Sequence, residues 1–103
     1  MKGTVLYEVR DGVALLTVDN PPVNPLSDGV RAGLYEGLAK AEADNSVVGV
    51  VLTGNGRAFI AGADISEFGG SGEGHGLAEV FKKLEYCSKP VVAAINGLAL
   101  GGG

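Results

Sequence analysis

With 103 residues, 46% of them apolar and 19% charged, the chain has the size and balance of one small globular domain. Its 8 basic and 12 acidic residues leave a net charge of −4 and a pI near 4.8. That balance excludes the basic face that broad nucleic-acid binding needs, yet leaves room for anions held by backbone N–H groups. Cys87 is the single cysteine, so an intrachain disulfide is excluded and a reducing, cytoplasmic setting is expected. The longest apolar stretches, Val47 to Leu52 and Pro90 to Ile95, fall far short of the ~20 residues needed to cross a bilayer. The N-terminus has no apolar core of signal-peptide type, and no membrane partner is expected.

Taken in order, Thr4 to Arg10 alternates as a strand, with Val5, Tyr7 and Val9 on one face. Asp11-Gly12 is a two-residue hairpin signal, and Val13 to Val18 is the return strand. Asp19-Asn20-Pro21-Pro22 breaks the pattern, and the loop continues through Val23 to Leu26. Ser27 is placed to cap a helix from Asp28 to Ala43, whose apolar stripe is Val30, Leu34, Leu38 and Ala41. Val47 to Leu52 reads as a strand covered on both faces, followed by a polar loop from Thr53 to Phe59. Small apolar residues return from Ile60 to Ile65, with a short helical turn expected over Asp64 to Phe68 and a flexible stretch over Gly69 to Gly76. Gly76 to Cys87 fits a second helix burying Leu77, Val80, Phe81 and Leu84. Pro90 to Ile95 reads as another buried strand, and Asn96-Gly97 turns the chain toward its closing glycines. Strands alternating with helices in the later part imply an α/β domain with a parallel sheet, in which Val47–Leu52 and Pro90–Ile95 are neighbours. No repeat and no internal domain boundary is visible, so residues 1–103 form one unit.

Two segments carry the chemistry: Gly56 to Ile65 (GRAFIAGADI) and Lys89 to Gly103 (KPVVAAINGLALGGG). Each contains or follows a strand, and each ends in small residues that expose the backbone. In parallel α/β folds, ligands gather at the carboxyl ends of strands. Two backbone N–H groups from neighbouring strand ends can converge on one oxygen, which is the geometry of an oxyanion hole.

These paired segments resemble the signature of the enoyl-CoA hydratase/isomerase (crotonase) superfamily, and the likeness runs from the opening hairpin to the last glycines. NPPVNPLS and FIAGADISEF look most like the N-terminal hydratase region of multifunctional β-oxidation enzymes, where a 3-hydroxyacyl-CoA dehydrogenase part follows. The resemblance implies the N-terminal portion of a crotonase-like spiral of β-β-α units, truncated within the glycine run. It implies hydration of a trans-2-enoyl-CoA, with the thioester oxygen held by the backbone N–H groups of Ala63 and Gly102. It places Val23, Asn24, Leu26, Ala61, Asp64 and Ile65 along the path of the CoA thioester. The family carries a basic residue near the Val23–Leu26 loop, where this chain has Pro21-Pro22. The two catalytic glutamates of the family fall beyond Gly103, so this chain alone is expected to be inactive. The acyl-CoA enters as substrate, with no metal and no tightly bound cofactor. The whole protein is expected to form a trimer or dimer of trimers, or to be multifunctional. An enoyl-CoA isomerase, another acyl-CoA enzyme of the superfamily, or a catalytically silent module are the alternatives.

Other residues invite plainer readings. Asp64 fits a cap for the turn that follows it, although it lies on the implied substrate path. Glu67, Glu73, Glu79 and His75 sit in no sequence pattern that marks acid–base or metal chemistry. Cys87 at the end of an apolar helix face is a small packed side chain rather than a nucleophile.

Overall fold

A computed structural model describes residues 3–62 and 76–103. Two strands, β1 (Thr4–Arg10) and β2 (Val13–Asp19), form an antiparallel hairpin in which Thr4 faces Asp19 and Arg10 faces Val13. The turn works because Asp11 and Gly12 both adopt positive φ, 49° and 80°, as a two-residue turn of this hand requires. Helix α1 (Asp28–Ala43) follows, and the Ser27 hydroxyl accepts from the Val30 N–H as its N-cap. Strand β3 (Gly49–Gly54) runs parallel to β2, then comes β4 (Ala58–Ile60). Helix α2 (Leu77–Glu85), β5 (Val91–Ala93) and β6 (Leu98–Ala99) complete the described chain.

The order is two β-β-α units and the start of a third. The first strand of each unit and β2 share one four-stranded sheet, in the order β1-β2-β3-β5, while β4 and β6 pair parallel in a separate two-stranded sheet. As expected, β3 and β5 are adjacent and parallel, with Val50 opposite Val91 and Leu52 opposite Ala93. Helix α1 packs on β1, β2 and β3 and touches α2. Its stripe of Val30, Leu34, Leu38 and Ala41 is buried against Ala14, Leu16 and Val18 of β2 and Val50 and Leu52 of β3. Alternation along β2 sends every second side chain into this core, as the period of a strand demands.

The structure corrects several expected boundaries. The third strand starts at Gly49 rather than Val47 and runs through Thr53 and Gly54, the start of the expected polar loop. Val48 is exposed, and its N–H donates to the Gly12 carbonyl at 2.7 Å just ahead of the strand. Ala58–Ile60 and Leu98–Ala99 are short strands that pair with each other. Pro90–Ile95 contributes three strand residues, and Val92 and Ile95 are exposed: β5 is an edge, covered on one side only among the described residues. On α2, Val80 is buried and Leu77 and Leu84 pack against the core, but Phe81 is exposed. The turn expected over Asp64 to Phe68 and the glycine-rich stretch over residues 69–75 lie outside the described residues.

Candidate active site

The site is assembled by three backbone segments: the loop between β2 and α1, the exit of β4, and the exit of β6. Asn24 anchors the first. Its φ of 55° is a left-handed conformation that asparagine tolerates better than most residues, and it turns the side chain inward. The side chain is fully buried. Its Oδ1 accepts from the Asn20 N–H at 2.9 Å. Its Nδ2 lies 3.1 Å from the Asn55 carbonyl, 3.0 Å from that of Ala58 and 3.2 Å from that of Phe59. The Asn24 carbonyl accepts from the Ala61 N–H at 3.4 Å, and the Leu26 N–H donates to Gly62 O at 2.7 Å. The loop is thereby laid along the whole of β4 and the two residues after it.

The exits of β4 and β6 lie side by side. The Leu100 N–H donates to the Ile60 carbonyl at 3.1 Å, continuing the ladder past β6. Gly62 has φ 88°, and a Cβ there would stand 3.2 Å from the Leu100 carbonyl. A Cβ on Gly103 would lie 2.0 Å from the Ile60 carbonyl, so backbone passes backbone with no room for a side chain. The Gly103 N–H donates to Leu100 O at 2.8 Å, which closes a turn around Gly101 and Gly102. Among the described residues the Gly102 N–H has no backbone acceptor. Gly102 also borders an apolar cavity of ≈ 520 Å³, walled by Leu26, Phe59, Ile60, Phe81 and Leu84.

The residues singled out from the sequence distribute as follows. Val23 is exposed at the loop surface, Leu26 is buried on the cavity wall, and Ala61 is half-buried beside Asn24. The Asn24 side chain is spent on internal bonds, so it acts from inside the protein rather than from its surface. Gly102 lies on the turn just described. Ala63, Asp64 and Ile65 lie outside the described residues, as do Glu67, Glu73 and His75. Ala63 directly follows Gly62, whose carbonyl is fixed by Leu26.

Sequence reading passed over Asn96. Its Nδ2 donates to Gly56 O at 3.0 Å and Ala58 O at 3.2 Å, while its Oδ1 accepts from the Gly54 N–H at 3.1 Å. An amide immediately before a glycine at a strand end was the available signal, but it read as a plain turn. The groups with displaced pKa values lie on the helices and their ends, apart from Tyr7 of β1. Glu42 is held below the usual carboxylate range by the Ser88 N–H and then by Lys83; Lys83 is held up by Glu42. Burial, then the charge of Asp44, pushes the Tyr7 phenol up. Among the described residues no group of His, Cys, Asp and Glu is arranged to hold a metal ion, and no helix is long and apolar enough to cross a membrane.

Two β-β-α units and the start of a third, with glycine-lined strand exits lying side by side, define a crotonase-type fold. An enoyl-CoA hydratase from Mycobacterium marinum superposes with a TM-score of 0.84 at 30% identity, over 91% of this chain and 48% of that one. The sequence pattern of the enoyl-CoA hydratase/isomerase family matches residues 8–103, and the chain belongs to that family. It is 47% identical over 98 residues to the peroxisomal bifunctional enzyme of Danio rerio, covering 94% of this chain and 14% of that protein. It is 43% identical over 98 residues to a probable enoyl-CoA hydratase of Bacillus subtilis, covering 88% of this chain and 38% of the relative. The chain thus spans well under half the length of these two relatives.

Proposed function

We propose that the whole protein containing this chain is an enoyl-CoA hydratase of fatty-acid β-oxidation, and that this chain supplies its thioester-polarising half. Water would add across the C2–C3 double bond of a trans-2-enoyl-CoA, hydroxyl to C3 and proton to C2. Negative charge develops on the thioester oxygen on the way, and the N–H groups of Ala63 and Gly102 would stabilise it. The observation that carries this reading is the close passage of Ile60–Gly62 alongside Leu100–Gly103. Donors fixed by the fold before the substrate arrives need no reorganisation as charge develops, and losing one costs about 2.7–4 kcal/mol.

The relatives named as hydratases favour hydration over isomerisation, which would use the same hole with different acid–base groups. The bifunctional relative supports a multifunctional whole protein, and a dehydrogenase region as its further part belongs to the proposal. In this proposal coenzyme A enters only as part of the substrate, and the acid–base groups come from other parts of the whole protein. The 103-residue chain alone is therefore expected to hydrate no crotonyl-CoA, and substantial turnover by the pure chain would refute that division of labour. A trimer or dimer of trimers and a cytoplasmic location are part of the same proposal. Light scattering of the whole protein and imaging of a fluorescent fusion test them.

Gly102 gives the decisive comparison. Gly102→Ala keeps the N–H, and among the described residues its Cβ would meet side-chain atoms alone, Leu26 Cδ1 and Phe81 Cζ, each at 3.3 Å. Gly102→Pro removes the N–H. In the whole protein, kcat on crotonyl-CoA should fall at least ~100-fold for Pro and far less for Ala. A folded proline variant with near-normal turnover would mean that the glycine run is structural only.

A further inference from the structure

Strands β4 and β6 have three and two residues, and their register shifts between Ala58 and Ile60. So short and irregular a ladder supplies few bonds to hold two oxyanion-hole segments in place. Two asparagine side chains supply more, and they converge on one atom. The Ala58 carbonyl accepts from Asn24 Nδ2 at 3.0 Å and from Asn96 Nδ2 at 3.2 Å. Asn24 belongs to the loop before α1 and Asn96 to the segment entering β6, so β4 is gripped from both sides at its first residue. Each amide also reaches the β3–β4 turn: Asn24 through the Asn55 carbonyl, and Asn96 through the Gly56 carbonyl and the Gly54 N–H. Only a side chain with donor and acceptor on one planar group can make the Asn96 set, because Gly54 offers a donor while Gly56 and Ala58 offer acceptors.

We propose that Asn96 and Asn24 are positioning residues for thioester polarisation: by clamping the Ala58 carbonyl they set the spacing between the Ile60–Gly62 exit and the Leu100–Gly102 exit. The proposal rests on the oxyanion-hole reading above. Neither side chain touches the reacting atoms. Both act through β4 and β6, and a shift of those exits would misplace the donors without removing them. The loss should therefore appear in the chemical step and in the polarisation of the carbonyl more than in binding of the CoA portion.

Asn96 is the better test because it is exposed, whereas Asn24 is fully buried. In the whole protein, Asn96→Ala removes the clamp, and Asn96→Asp keeps the acceptor for Gly54 but sets a carboxylate against two carbonyls. Glu42→Gln, which weakens an ion pair between α1 and α2, serves as a variant of lowered stability whose site is untouched. Two readouts are taken: kcat and KM on crotonyl-CoA, and the red shift in absorbance of a conjugated, chromophoric acyl-CoA on binding, which reports polarisation of its carbonyl. Asn96→Ala should lower kcat at least ~10-fold and Asn96→Asp further. KM should stay within ~3-fold and the red shift should shrink, while Glu42→Gln changes neither readout. A folded Asn96→Ala protein with an unchanged red shift would overturn the proposal, whatever its kcat. Failure of both Asn96 variants to fold would also overturn it, leaving Asn96 a determinant of folding alone. If the unmutated protein neither turns over crotonyl-CoA nor shifts the chromophore, the oxyanion-hole reading itself is what fails.

Discussion

The layered part of the molecule, from β1 to β3, and the stretch from β4 to Gly103 are built from different materials. In the first, α1 lays Val30, Leu34, Leu38 and Ala41 onto β2 and β3, and burial of large apolar side chains holds the layers together. In the second, glycine and alanine dominate the strand exits, and Val92, Ile95, Leu98 and Leu100 are exposed. Order at those exits comes from backbone bonds and from the amides of Asn24 and Asn96, while Phe59, Ile60 and Val80 tie the stretch into the shared core. Under the proposed function the difference has a reason. A segment that offers bare N–H groups to a ligand cannot cover them with side chains, so small residues stand at the strand exits in place of large apolar ones.

The largest effects should fall on the first region. Leu38 on the buried face of α1 is 0% exposed, and Leu38→Ala should cost about 2–5 kcal/mol, from lost burial and the cavity left behind. Val92 on β5 is 59% exposed, and Val92→Ala should stay within about 0.5 kcal/mol. Urea unfolding of the 103-residue chain measures both. Equal losses would show that the second region is packed as tightly as the first and would break the contrast.

Within the second region, backbone proximity should matter where side-chain burial does not. A Cβ on Gly97 would lie 1.8 Å from the Arg57 carbonyl, an overlap that backbone must move to relieve. Gly97→Ala should cost about 1–3 kcal/mol, as overpacking does, and should part β6 from β4. At Gly49 the nearest atom to an added Cβ is the Pro90 carbonyl at 3.6 Å, an ordinary contact. Gly49→Ala should therefore remain within about 0.5 kcal/mol. The same urea titrations decide it, and a neutral Gly97→Ala would show that this passage has slack.

The first region was also the more legible. Alternation in Thr4 to Arg10, the Asp11-Gly12 turn and the four-residue spacing of Val30, Leu34 and Leu38 are local patterns, and the hairpin and the capped helix follow from them, as the β3–β5 neighbourhood follows from two continuous apolar runs. The short strands Ala58–Ile60 and Leu98–Ala99 were not legible. Neither has a period long enough to register, and each exists only because distant chain brings the other to it. The candidate site divides the same way. Gly102 stood out through the glycine run, whereas the clamp on the Ala58 carbonyl joins residues far apart in sequence. Asn24 looked like a loop residue open to a ligand, and only the fold shows it turned inward.

The two regions meet where α1 touches α2, and the smallest predicted effect probes that seam. Lys83 of α2 lies 3.0 Å from Glu42 of α1, and the Ser88 N–H donates to the same carboxylate at 2.9 Å. Lys89 Nζ donates to the carbonyls of Ala41 at 2.7 Å and Asp44 at 2.6 Å, closing the end of α1 with a cation where helix carbonyls are left over. The Glu42 carboxyl is held below its ordinary value, by the Ser88 N–H first and Lys83 second, so its contribution is present above about 4.3, the usual glutamate value, and fades as pH falls through the lower folded value. Lys83 is held above its ordinary value by Glu42, so its contribution is present below about 10.4 and fades as pH rises through the higher folded value. Glu42→Gln should thus cost about 0.5–1 kcal/mol across the window between those limits, the measure of a part-exposed ion pair. The gap between the variant and the unmutated chain should narrow at either end of the window. At the acid end a protonated Glu42 is as neutral as glutamine, and either side chain can still accept from the Ser88 N–H. Urea midpoints taken across pH test this, and a gap that keeps its full size below the folded value of Glu42 would mean that the carboxylate's charge is not what ties α1 to α2.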